Sequence, residues 1–153
     1  ANIQYLSGLM DAQMISCDKI NQLRQVRFLK DKAHTLELMQ RHAALLRPRF
    51  DAFLTELEKL RPLEIARWTQ PQGGYFISLY TLPGCAKRTV ELCRQAGLVM
   101  TQAGATYPYG KDPEDRHIRI APSYPALEDV KTAAKVFCTC LKLAALEKQN
   151  LVN

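Results

Sequence analysis

His117-Ile118-Arg119-Ile120-Ala121-Pro122-Ser123 decides how this chain folds, because it is a short alternating strand within a sequence whose apolar residues otherwise repeat mostly at helical spacing. Successive strand side chains point to opposite faces, so Ile118 and Ile120 are expected in a core while His117, Arg119 and Ala121 face the other way. Arg119 then becomes a rigidly mounted cation. Its guanidinium is planar and presents paired donors that match a carboxylate bidentately, which suits it to hold an organic acid. A strand arginine exposed to solvent or paired on the surface is the alternative reading of the same pattern.

Upstream of this strand, the loop 102–116 includes Tyr107-Pro108-Tyr109-Gly110-Lys111-Asp112-Pro113, and Leu98-Val99-Met100-Thr101 before it reads as a short strand. Residues 85–96 are helical in period, opened by Pro83-Gly84 and closed by Gly97. Further back, Pro71-Gln72-Gly73-Gly74 is a turn between two stretches of β character, 63–68 and 75–80. Downstream, residues 127–147 place Leu127, Val130, Ala134, Phe137, Leu141 and Ala144 on one helical face.

The first 60 residues read as helix. Ile3, Leu6, Met10, Met14 and Cys17 recur at steps of three and four, and the chain, entering directly on this pattern, is expected to begin in mid-protein. Asp18 caps a second helix whose apolar positions run from Ile20 to Leu57, with a kink expected at Pro48. Uninterrupted, that helix would extend on the order of 60 Å at about 1.5 Å per residue, beyond a domain of this size. Two helices joined at Pro48 are the alternative. The expected organisation is a helical segment over 1–60 with a long interdomain helix, followed over 61–153 by an α/β (α+β) two-layer domain. In that domain a small mixed or antiparallel sheet is covered by helices.

Composition narrows the function. The chain has 153 residues and 47% hydrophobic content, enough for a real core. The net charge of +6 arises from scattered single residues without a basic run or interleaved aromatics, which argues against nucleic acid as a partner. No apolar run reaches the roughly 20 residues a bilayer span needs, so neither membrane insertion nor export is expected and the cytoplasm is the expected location. The five cysteines form no Cys-x-x-Cys pair and read as reduced, partly buried thiols. The three histidines have no ligand partners at metal-binding spacing, so no metal is expected.

Four features in order resemble the C-terminal part of the fold type I aminotransferases. These are the interdomain-length helix, Pro71-Gln72-Gly73-Gly74-Tyr75-Phe76, the passage from Ala96-Gly97-Leu98-Val99 to Ala103-Gly104, and His117-Ile118-Arg119-Ile120-Ala121. The resemblance is closest to the aspartate-aminotransferase-like group allied to MocR-type proteins. It implies that Arg119 binds the substrate α-carboxylate and that Tyr75 and Phe76 line the substrate side, although Phe76 suits core packing equally. It also implies pyridoxal 5′-phosphate in the complete enzyme, a homodimer, an aspartate- or glutamate-like amino acid and a 2-oxo acid as substrates, and an upstream large domain as this chain's partner. The Schiff-base lysine, the acidic partner of the pyridine nitrogen and the phosphate cup belong to that large domain. Thus no catalytic or cofactor-binding residue is expected here, and the fragment alone should be inactive. Two other functions fit the same residues: a non-catalytic, organic-acid-sensing aminotransferase-like domain of a transcriptional regulator, or a structural interaction domain using the apolar face of the first helix.

Overall fold

The computed structural model describes residues 2–14 and 17–150, which fall into two compact units divided between His42 and Ala43. In the first unit, α1 (Asn2–Gln13) and α2 (Lys19–Leu29) bury none of their residues. The Asp18 carboxylate accepts the Asn21 N–H at 2.9 Å and caps α2, as the sequence indicates. Helix α2 then stops, because Lys30 adopts a left-handed φ of 57° and Asp31 begins a new cap by accepting the His34 N–H at 2.8 Å.

The third helix, α3 (Lys32–Glu58), follows from that cap. The expected continuous helix from Asp18 is therefore divided at Lys30, and Pro48 lies inside α3 rather than at a junction. Asp31 explains the difference, since a side chain that satisfies the first free N–H groups of one helix favours ending the previous helix beside it. At 27 residues α3 is about 40 Å long.

Within the second unit, a 3₁₀ turn at Arg61–Leu63 precedes three strands. They are β1 (Ala66–Trp68), β2 (Ile77–Thr81) and β3 (His117–Ile120), antiparallel in the order β1-β2-β3. The expected strand 63–68 shortens to its second half because Pro62 sets the turn and Glu64 takes a left-handed φ of 52°. Strand β2 begins two residues later than expected. Residues 98–101 form no strand: Leu98 and Met100 pack on the core while Val99 is exposed, so the alternation is real, but no ladder forms. Period-two burial requires only an extended chain over a core, whereas a strand also requires a paired neighbour.

Helix α4 (Ala86–Gln95) ends at Gly97, which has φ 84°. Its N–H donates to the Arg94 carbonyl at 3.1 Å and that of Leu98 to the Cys93 carbonyl at 2.8 Å, the double bond pattern that a left-handed residue after a helix allows. Helix α5 (Leu127–Asn150) carries Glu128 and Asp129 in its first turn, where carboxylates favour the helix dipole. A two-point ion pair joins α4 to α5, with the Arg88 guanidinium donating from Nε to Glu147 at 2.6 Å and from Nη2 at 2.8 Å. Both side chains are more than a third exposed, so the pair sets register more than it adds stability.

The core gathers Phe53, Leu57 and Leu60 from α3 and the residues after it, Ile77 and Leu79 from β2, Ile118 and Ile120 from β3, and Val130, Phe137 and Leu141 from α5. Phe53 and Phe137 meet with ring centroids 5.6 Å apart. The second half of α3 thus belongs to the same core as the sheet. All five cysteines are free; Cys17 is exposed and the other four are buried. Burial, with Cys140 alongside, pushes the Cys93 thiol up to about 12. No helix among the described residues is long and apolar enough to cross a membrane.

Candidate active-site face

Ladder register places the candidate site. Ile77 pairs with Ile120 and Leu79 with Ile118 on the face toward the core, while Ser78 pairs with Arg119 and Tyr80 with both His117 and Arg67 on the opposite face. The outer face therefore carries Arg67, Ser78, Tyr80, His117 and Arg119 together. Opposite Arg119 the small Ser78 leaves room for the guanidinium, which lies over the Phe76 ring at 4.6 Å from its centroid. The Arg67 guanidinium lies over Tyr80 at 5.1 Å.

Arg119 is half-buried, and its Nε is a buried donor without a hydrogen-bond partner among the described residues. Elsewhere in the same unit Arg61, Arg88 and Arg116 are each tied to a carboxylate. A buried N–H left unpaired costs about 1–3 kcal/mol, a cost that an acceptor placed against Nε would remove.

Of the residues singled out in the sequence, Arg119 and Phe76 come together. Phe76 remains 46% exposed and packs against Arg119 rather than in the core. Tyr75 is exposed and shares no ring or cation–π contact with Arg119 among the described residues. None of the ten lysines is buried. Among the described residues no group of three or more His, Cys, Asp or Glu side chains could hold a metal ion.

The sequence reading missed the surroundings of His117, which is 4% exposed. Its Nδ1 lies 2.7 Å from the Thr106 hydroxyl and its ring stands 4.8 Å from that of Tyr80 and 6.1 Å from that of Tyr107. Burial lowers the imidazole's proton affinity and Arg119 lowers it further, against the opposing pull of Asp112. For Asp112, burial pushes the carboxyl up, but hydrogen bonds from the backbone of His117, Arg116 and Glu114 outweigh it and hold the group below its ordinary value. The available signal was the shared parity of His117 and Arg119, which assigns them one face of the strand.

The family model described as aspartate amino-transferase matches residues 1–152. A Mycolicibacterium smegmatis protein provisionally named an aminotransferase is 50% identical over 148 residues, covering 95% of this chain and 34% of that protein. The aspartate aminotransferase of Corynebacterium glutamicum is 40% identical over 147 residues, again 95% of this chain and 34% of the relative. The crystal structure of an aspartate transaminase from Corynebacterium glutamicum superposes with a TM-score of 0.87 at 40% identity, covering 96% of this chain and 35% of that one. The chain spans about a third of the length of the curated relatives it matches. With a three-stranded antiparallel sheet, its covering helices and a match along nearly its whole length, this chain belongs to the aspartate amino-transferase family, of which it carries the C-terminal, small-domain region of a fold type I aminotransferase.

Proposed function

We propose that the complete protein is a pyridoxal 5′-phosphate-dependent aminotransferase that moves an amino group between an aspartate- or glutamate-like amino acid and a 2-oxo acid. It works as a homodimer in the cytoplasm, and Arg119 binds the substrate α-carboxylate. The supporting observation is the buried, unpaired Nε of Arg119 on a strand whose neighbours offer it no acid.

A guanidinium fixed by a strand and a ring beneath it loses little freedom when a carboxylate arrives, so more of the interaction energy appears as orientation and affinity. Phe76 supports the guanidinium from below, and Tyr75, exposed next to it in the chain, is the second aromatic residue offered to the substrate. The residues of this chain do not fit the cofactor itself. Its aldehyde requires an amine shielded from water, and all ten lysines here are exposed. The cofactor's chemistry, an electron sink for the substrate carbanion, therefore belongs to the rest of the protein, and this chain alone should not turn over.

The test is the absorbance spectrum of the complete protein with added pyridoxal 5′-phosphate, before and after L-aspartate. A protein-bound cofactor band that changes to that of the aminated cofactor supports the reading. A protein that takes up no cofactor, or whose band ignores every amino acid offered, overturns it.

A further inference from the structure

The strand bearing Arg119 is at the edge of the sheet, because the order is β1-β2-β3 and no strand among the described residues pairs with the far side of β3. An edge strand is a poor mount for a side chain that must hold its position, since half its backbone groups have no ladder partner. At His117 the far side is met by the preceding loop instead. The Asp112 carboxylate accepts three backbone N–H groups: Arg116 at 2.7 Å and His117 at 2.8 Å on Oδ2, and Glu114 at 3.1 Å on Oδ1. The His117 carbonyl accepts the Gly104 N–H at 3.1 Å. Meanwhile Thr106 reaches the His117 ring at 2.7 Å. His117 is thus held by its N–H, its carbonyl and its imidazole, two residues before Arg119 on the same face of the strand.

Close packing reinforces the clamp. A Cβ built on Gly104 would meet the Gly110 carbonyl oxygen at 3.0 Å and the Asp112 Cβ at 3.3 Å, so the two ends of the loop lie against each other with no slack. The charge of Asp112 is spent on backbone donors, and it forms no ion pair with Arg119 among the described residues. Among the described residues the acid that anchors this strand leaves the guanidinium free for a ligand.

We infer that Asp112 and Thr106 are positioning residues for Arg119, acting through the backbone and ring of His117. This rests on the reading of Arg119 as the carboxylate-binding group. Removing either should misplace the guanidinium without touching the reacting atoms, so the loss should appear in KM for the amino acid and not in kcat.

The test is made on the complete, cofactor-loaded protein with L-aspartate. Asp112→Asn, which replaces one accepting oxygen by a donor, is expected to raise KM roughly tenfold with kcat per folded active site within about twofold of the parent. Thr106→Val should raise KM by about threefold, and Thr106→Ser, which restores the hydroxyl, should recover the parent value. Combined with Arg119→Ala, Asp112→Asn should have no further effect on kcat/KM, because the group it positions is gone. An equal loss from Asp112→Asn in both backgrounds, or a fall in kcat at constant KM, overturns the inference. If Asp112→Asn does not fold, the Thr106 pair decides: an unchanged KM in Thr106→Val refutes it. Arg119→Ala alone tests the underlying reading separately. An unchanged kcat/KM in that single variant removes the carboxylate role itself, whatever the Asp112 and Thr106 variants do.

Discussion

Arg119→Ala should separate binding from stability, and the structure gives the size of each effect. In the ligand-free protein the substitution removes a buried donor that has no partner among the described residues, relieving about 1–3 kcal/mol of unfavourable burial. Against this stands the loss of the guanidinium above Phe76, 4.6 Å from a ring that is 46% exposed, which is worth about 0.5–1 kcal/mol at such exposure. Losing the side-chain stem from the sheet face offsets part of what remains. The balance lies between no change and about 2 kcal/mol of added stability, which distinguishes this residue from nearly every other half-buried side chain in the unit.

With substrate the sign reverses. If Arg119 holds the substrate carboxylate as proposed, deleting that bidentate, charge-assisted pair costs about 2–4 kcal/mol, equivalent to a fall in kcat/KM of about 30- to 900-fold. The assay pairs thermal unfolding of the complete protein without amino acid with steady-state kinetics on L-aspartate. A variant that unfolds some 10 °C earlier yet keeps its kcat/KM would show that Arg119 is a strut of the sheet and would refute the argument from its unpaired Nε.

Three other perturbations test the frame around the site. Gly104→Ala should cost about 1–3 kcal/mol and raise KM, since the residue has φ 77° and its new Cβ would press on the Gly110 carbonyl; thermal unfolding and kinetics read both. Phe137→Ala should cost about 3–5 kcal/mol by chemical denaturation while leaving KM unchanged, because the ring is fully buried against Phe53 on the side of the sheet away from Arg119. Stability should fall in acid, first below pH 6.5 as the unfolded chain protonates His117 more readily than the folded one, then below pH 3.8 as the same imbalance reaches Asp112. Unfolding temperature against pH checks this, and His117→Gln should remove the first step only.

Much of the fold was legible because it rests on local periodicity and caps. The alternation at 117–120 placed Ile118 and Ile120 in the core and Arg119 outside it, and the Asp18 cap and the Gly97 stop stand where the residue types require them. The division of the long helix was less visible. Asp31 is an ordinary polar residue within a helical pattern until its carboxylate turns to cap His34, and the alternative break considered at Pro48 falls inside α3. Residues 98–101 alternate like a strand but find no partner, and a one-dimensional pattern cannot supply one.

For the site, the sequence by itself determined that an arginine stands on a strand, with its parity fixed and an aromatic residue, Phe76, following a glycine turn. Local sterics and the two-residue repeat suffice for that. Only the tertiary structure decided that Arg119 lies over Phe76 with its Nε buried and unpaired, and that Asp112, Thr106 and Gly104 converge on His117 along the open edge of β3. Those relations depend on strand register and on a loop folding back over itself, and register is set by the pairing of distant segments rather than by the order of residues within either one.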